Sequence, residues 1–221
     1  MENKEILDLI YKMFPNPHCE LEYFDDFSFL CAVVLSAQTT DKAVNLVTKP
    51  LFLKYPTVFD IASSSEDELI PILRPIGLMK NKSHYLIKIS KAIVEDYGGK
   101  VPHDFDELIK LPGVGRKTAN VFLAEIDKRP AIAVDTHVNR VSYRLGLSSS
   151  IDNVLKTEHE LEAGFDEKDW IKVHYGLLFM GRYKCLSKNP KCSDCNLKSI
   201  CRYEKRDYCL LYTSDAADEA R

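Results

Sequence analysis

A lysine amine, a carboxylate and four closely spaced thiols are the side chains of this chain with the most chemistry in them. Lys117 follows a Gly113-Val114-Gly115 turn in LPGVGRKTANV, and Asp135 stands eighteen residues further on in VDTHVNRV. Glycine lets a backbone take positive φ, or approach a ligand with no Cβ in the way. The first amides of a helix that begins near Gly115 lack intrahelical partners and lie at the positive end of the helix dipole. The hairpin, with Arg116 beside it, is therefore a ready grip for a nucleic-acid phosphate, with no base being read. A positive charge is disfavoured at that helix start, and a neutral Lys117 amine is a nucleophile of the kind that forms Schiff bases. Such an amine needs a neighbour to move protons, and Asp135 is the candidate. Taken singly, a lysine at a helix start is a solvated surface charge. Asp135, ahead of the spacing Val138, Val141, Leu145, is likewise a plain N-cap when taken alone.

The whole segment resembles the helix-hairpin-helix DNA glycosylase superfamily, and LPGVGRKTANV followed by VDTHVNRV is similar to its endonuclease III branch. The resemblance implies that Lys117 is the Schiff-base nucleophile and that Asp135 assists it. It extends through LSAQTTD and through Ile76-Gly77-Leu78. There it implies that a glutamine and an aliphatic wedge, Gln38 and Leu78, enter the DNA stack after a base flips out. Read from the residues alone, Gln38 offers donor and acceptor groups to an orphaned base, and Leu78 offers an apolar wedge for a kinked step. The plainer alternatives are a helix-terminal glutamine and a core leucine. Asp41 reads as the N-cap of the next helix, with a second carboxylate near the site as the alternative.

Seven cysteines occur, and four of them fall in the pattern Cys185-x6-Cys192-x2-Cys195-x5-Cys201. A zinc ribbon normally uses two Cys-x2-Cys knuckles, and only one is present here. An iron-sulfur cluster is the first reading, with zinc and disulfides as alternatives. The same 6-2-5 spacing is found in the endonuclease III family, and that resemblance implies a 4Fe-4S cluster on these four thiolates. From Met180 to Arg206 there are eight basic residues against two acidic ones. The loop is thus a basic patch, and Lys188 and Lys191, inside its six-residue gap, are expected to meet the DNA backbone.

The formal charge of −3 and the pI near 6.1 look wrong for a DNA binder, but the last residues distort both. Residues 1 to 206 carry 29 acids and 29 bases, and Lys110 to Arg144 carries seven bases against three acids. Local rather than global charge would steer a nucleic acid. The closing CLLYTSDAADEAR has neither helical nor strand period. It reads as a non-native or disordered tail over 207–221, outside the fold together with Cys209. The longest unbroken apolar run is the seven residues Phe29 to Leu35, so no membrane span and no signal peptide are expected, and a cytoplasmic, nucleoid-associated monomer is.

Helical spacing dominates the elements that must position these groups. Ile6, Leu9, Ile10 and Met13 make one stripe, Phe27 to Leu35 is apolar on every side, and Val44, Val47, Leu51 and then Tyr85, Ile89, Ile93 follow. No convincing alternating strand appears, and Pro and Gly punctuate the chain into about ten short helices. The predicted fold is all-α. The resemblance implies two lobes: a helical barrel over 19–129 that carries the helix-hairpin-helix, and an iron-sulfur lobe from 1–18 plus 130–206. The function it implies is that of a bifunctional DNA N-glycosylase and apurinic/apyrimidinic lyase of base-excision repair. Its partner would be double-stranded DNA containing damaged bases, oxidised pyrimidines first among them, or abasic sites. Two alternatives stand beside it. One is a glycosylase of the same fold for mismatched thymine or ultraviolet dimers; the other is a non-catalytic DNA-binding iron-sulfur redox module.

Overall fold

The computed structural model describes residues 2–203, and among them every regular element is helical. In chain order these are α1 (Asn3–Met13), α2 (Asp26–Leu35), α3 (Asp41–Lys54), α4 (Val58–Ser63), α5 (Glu66–Leu73), α6 (Met79–Tyr97), α7 (Phe105–Leu108), α8 (Arg116–Ile126), α9 (Thr136–Leu145), α10 (Val154–Gly164) and α11 (Trp170–Phe179). A π-helical turn, Met180–Lys184, runs on from α11. The segment 204–221, which holds Lys205, Arg206, Cys209 and the CLLYTSDAADEAR tail, lies outside the described residues. None of the described helices is long and apolar enough to cross a membrane.

The chain forms two compact units. One is Glu20–Asp127; the other joins the N-terminal segment through Cys19 to the described chain from Lys128 to Tyr203. The first unit is built around α2. Every residue from Phe27 to Leu35 is buried, as an all-round apolar helix must be. Asp25 caps that helix by accepting from the Ser28 amide at 2.7 Å, and Phe29 meets Phe122 of α8 with ring centroids 6.1 Å apart. Each such fully buried apolar side chain contributes about 1.5–3 kcal/mol relative to exposure, so α2 is the pillar against which α3, α6 and α8 are set. A polar staple holds one side of this unit. His103 lies between Asp127 (Nδ1 to Oδ1, 2.6 Å), at the C-terminus of α8, and Asp26 (Nε2 to Oδ2, 3.1 Å), at the start of α2.

The second unit packs α1 and α9 against α11, with Ile10, Val138, Val141, Leu161, Val173 and Leu177 fully buried. Two charges sit inside it. Arg140 and Arg144 of α9 are only 6% and 5% exposed, so the basic excess read over Lys110 to Arg144 is not all surface charge. Isolated buried guanidinium groups are costly, and these two are held by backbone carbonyls of the cysteine loop. Arg140 donates to Gly181 O at 3.0 Å and Cys185 O at 3.2 Å, and Arg144 donates to Leu186 O at 2.7 Å.

Candidate active site

The segment around Lys117 folds as a helix-hairpin-helix. Asp104 caps the short α7 by accepting from the amides of Asp106 and Glu107, and the chain turns through Leu111–Gly115 with the Val114 amide on Leu111 O at 3.0 Å. Gly113 has φ +78°, and a Cβ there would come within 2.7 Å of the Tyr85 ring, so the turn requires glycine twice over. Gly115, the N-cap of α8, is different. It is exposed, and a Cβ on it would have nothing within 4 Å. Packing within this chain does not demand a glycine there, whereas close approach of a ligand to the first α8 amides would. Arg116 and Lys117 are both exposed in that first turn, and the Arg116 guanidinium lies 5.1 Å from the centre of the Phe105 ring.

Asp135 belongs to the other unit. It is the N-cap of α9, with Oδ1 accepting from the Val138 amide at 2.8 Å. The plain capping role weighed from sequence is therefore present, and it fixes the carboxylate while Oδ2 takes no part in that bond. Behind it, Gly181 lets the π turn close onto α9. A Cβ at Gly181 would stand 2.7 Å from His137 Cβ and 3.1 Å from His137 backbone atoms. His137 Nδ1 lies 3.2 Å from an Arg140 guanidinium nitrogen, which has only protons to offer, so Nδ1 accepts. Burial holds the His137 imidazole below its ordinary pKa, and Arg140 and Arg182 push the same way against Asp135.

Gln38 and Leu78 share an unusual backbone. Among the described residues only four non-glycine positions have positive φ, and these are two of them, at +53° and +49°. A left-handed non-glycine residue costs about 1–2 kcal/mol, and such strain gathers where a side chain must be held out for use. Both are exposed, Leu78 by 49%, so it is not a core leucine. Next to Gln38, Thr40 rather than Asp41 caps α3, accepting from the Ala43 amide at 3.3 Å. Asp41 is the first helical residue, which corrects the reading of it as the cap.

The four clustered cysteines, Cys185, Cys192, Cys195 and Cys201, line one cavity together with Leu145, Met180 and Leu197. No disulfide joins any of the six described cysteines. Burial raises the thiols of Cys192, Cys195 and Cys201, and each is raised further by its neighbouring thiols. Among the described residues no three His, Cys, Asp or Glu side chains converge as a single metal ion requires. The donors on that cavity are all soft sulfur, the ligand type that an iron-sulfur cluster uses. Arg144 reaches the site with a nitrogen 3.4 Å from Cys185 Sγ. Lys188 and Lys191 are exposed in the loop, whereas Lys184 is paired with Asp194 at 2.6 Å.

Sequence reasoning missed Tyr85, Gly181, Arg140 and Arg144. The arginine pair carried a signal, since two cations four residues apart on an amphipathic helix rich in buried positions call for partners. The glycine and tyrosine contacts join distant segments and carried none.

A family model described as the HhH-GPD superfamily of base excision DNA repair proteins matches residues 31–167. Endonuclease III of Bacillus subtilis (strain 168) is 50% identical over 202 residues, covering 91% of this chain and 92% of its own length. The chain belongs to the endonuclease III family. Endonuclease III of Rickettsia conorii is 44% identical over 90% of this chain and 94% of its own length. A trapped endonuclease III–DNA covalent intermediate superposes with a TM-score of 0.89 at 46% identity, over 94% of this chain and 99% of that one. A thermostable thymine-DNA glycosylase, with a TM-score of 0.77 at 23% identity over 92% of this chain and 96% of that one, shares the fold. As a member of the endonuclease III family, the protein is a DNA glycosylase and lyase of base-excision repair.

Proposed function

We propose that this protein removes oxidised, ring-saturated pyrimidines such as thymine glycol from duplex DNA and then nicks the abasic site, with Lys117 as nucleophile for both steps. The observation that carries the assignment is the exposed Lys117 amine in the first turn of α8, directly behind a hairpin that requires glycine at 113. A relative trapped as a covalent DNA intermediate supports it, because such a bond demands a nucleophile. A stacked base shields its sugar C1′, so the nucleotide must leave the helix first. Gly113, Gly115 and Arg116 grip a backbone phosphate, while Gln38 faces the orphaned base and Leu78 wedges the step.

The Lys117 nitrogen then bonds to C1′ as the bond from C1′ to the base breaks, and the base leaves with the electron pair. Asp135 stabilises positive charge developing on the sugar and relays protons. The nitrogen then loses a proton and the C1′–O4′ bond breaks, its electron pair and a proton going to O4′, so that the ring opens to a protonated imine. Loss of a 2′ proton from that imine expels the 3′ phosphate by β-elimination, and water releases the lysine. Cys185, Cys192, Cys195 and Cys201 would hold a 4Fe-4S cluster. That cluster, when bound, ties four points of the loop together and keeps Lys188 and Lys191 toward phosphates. The working place of such an enzyme is the nucleoid, in the cytoplasm.

The test is borohydride trapping on lesion duplexes. Lys117→Gln should abolish the trapped complex while DNA binding survives, and continued trapping would overturn the assignment of the nucleophile. The wild-type protein, run over single-lesion duplexes, should excise thymine glycol ahead of mismatched thymine and ultraviolet dimers. Thymine glycol excision at background rate would remove the pyrimidine assignment.

A further inference from the structure

Lys82, on α6, is 4% exposed, and the glycosylase and lyase steps have no use for it. Its Nζ donates to Thr39 Oγ1 at 2.5 Å and to Ile76 O at 3.0 Å. The Thr39 hydroxyl is itself 3.1 Å from Ile76 O, so the three groups close a triangle. Thr39 follows Gln38 directly, and Ile76 precedes Leu78 by two residues. The backbone amide of Lys82 also donates to Leu78 O at 2.9 Å, so one residue holds the Leu78 turn by both main chain and side chain. The triangle thus joins the two turns whose exposed tips have left-handed backbones.

We propose that Lys82 is a positioning residue for DNA insertion: its side chain locks the Gln38 turn to the Leu78 turn, so that the two tips enter the base stack at a set separation. This rests on the proposed entry of Gln38 and Leu78 into the stack. Stability alone does not account for a lysine at this place. A buried amine is costly unless well paired, and the partners here are a hydroxyl and a carbonyl rather than a carboxylate. Burial pushes the amine down to about 8, the direction expected when the charged form is penalised. A methionine would fill the same space without that cost. What it would not do is bond two segments 43 residues apart in sequence, as the Lys82–Thr39 hydrogen bond does. Rigidity between the tips matters because insertion must replace lost stacking at the moment of flipping, and a wobbling wedge loses that binding energy to ordering.

The experiment compares single-turnover excision of thymine glycol in two duplexes, one with adenine opposite the lesion and one with an abasic site opposite. The second needs little help to open and has no orphaned base to face Gln38. Lys82→Met and Thr39→Val should each lower the ratio of the paired rate to the unpaired rate about tenfold, which is about 1.4 kcal/mol and the size of one buried hydrogen bond. Thr39→Ser, which keeps the hydroxyl, should restore the ratio. A merely structural role would lower both rates alike, and that result, or an unchanged ratio, overturns the proposal. Should Lys82→Met fail to fold, the Thr39→Val and Thr39→Ser pair decides the matter. Gln38→Ala and Leu78→Ala run in parallel. If these lower the ratio and the triangle variants do not, the positioning role alone is wrong; if they leave it unchanged, the insertion reading falls and takes this role with it.

Discussion

Lys117 and Asp135 differ in how much of their role a single residue can declare. Lys117 is exposed in a first helical turn, where a lysine taken singly is a solvated surface charge, and only the glycine hairpin ahead of it sets it apart. Asp135 is an N-cap, and its capping bond and its proposed chemistry coexist, because capping uses one carboxylate oxygen. Leu78 is the clearer case, because its backbone carries a cost that its own packing does not offset. Leu78→Asn, in which the new residue tolerates left-handed φ, should leave stability unchanged or raised by up to about 1 kcal/mol. Excision of a paired lesion should fall in the same variant. Denaturant unfolding and single-turnover excision measured together check this, and a clear loss of stability would mean that Leu78 serves the fold rather than the DNA.

At the scale of elements, helices are joined by polar staples that respond to pH. The hydrogen bond to Asp127, then Asp26, raises the His103 pKa above its ordinary value. A raised folded pKa means that the protonated staple adds stability that is fully present below the unfolded value near 6.5. That stability is lost as pH rises through the folded value. The Glu20–Asp127 unit should therefore lose stability as pH rises from about 6.5 through the raised folded value, and His103→Gln should flatten that slope. Denaturation midpoints taken across this range decide it, and an equal slope in both proteins would exclude the staple as its cause. Elsewhere the elements were legible from spacing and caps. The all-apolar stretch Phe27 to Leu35 predicts a buried helix and is one, since no solvent-facing stripe exists in it. The π turn at Met180–Lys184 was not legible. It exists because Gly181 meets α9, an approach set by packing rather than by any local preference.

Across the whole molecule, the cysteine loop is fastened to the fold through Arg140 and Arg144 of α9, the helix that Asp135 begins. The proposed cluster would complete that fastening from the other side. Cys192→Ser should yield protein lacking iron and sulfide. Its DNA affinity should show a log–log salt slope smaller by about 2, because Lys188 and Lys191 would each cease to neutralise a phosphate and each phosphate accounts for about 0.9 of slope. Iron analysis and salt titrations of binding measure both, and an unchanged slope in cluster-free protein would show that the loop does not meet the backbone. By itself the chain of residues determined the all-helical class, the hairpin with its lysine, and the grouping of four thiols, because each depends on periodicity or on spacing within a few tens of residues. Tertiary structure alone decided that Gln38 and Leu78 have strained backbones joined through Lys82, that two arginines are buried, and that Thr40 rather than Asp41 caps α3. The first two depend on segments far apart in sequence meeting one another, and such meetings follow from close packing in three dimensions, which no local pattern encodes.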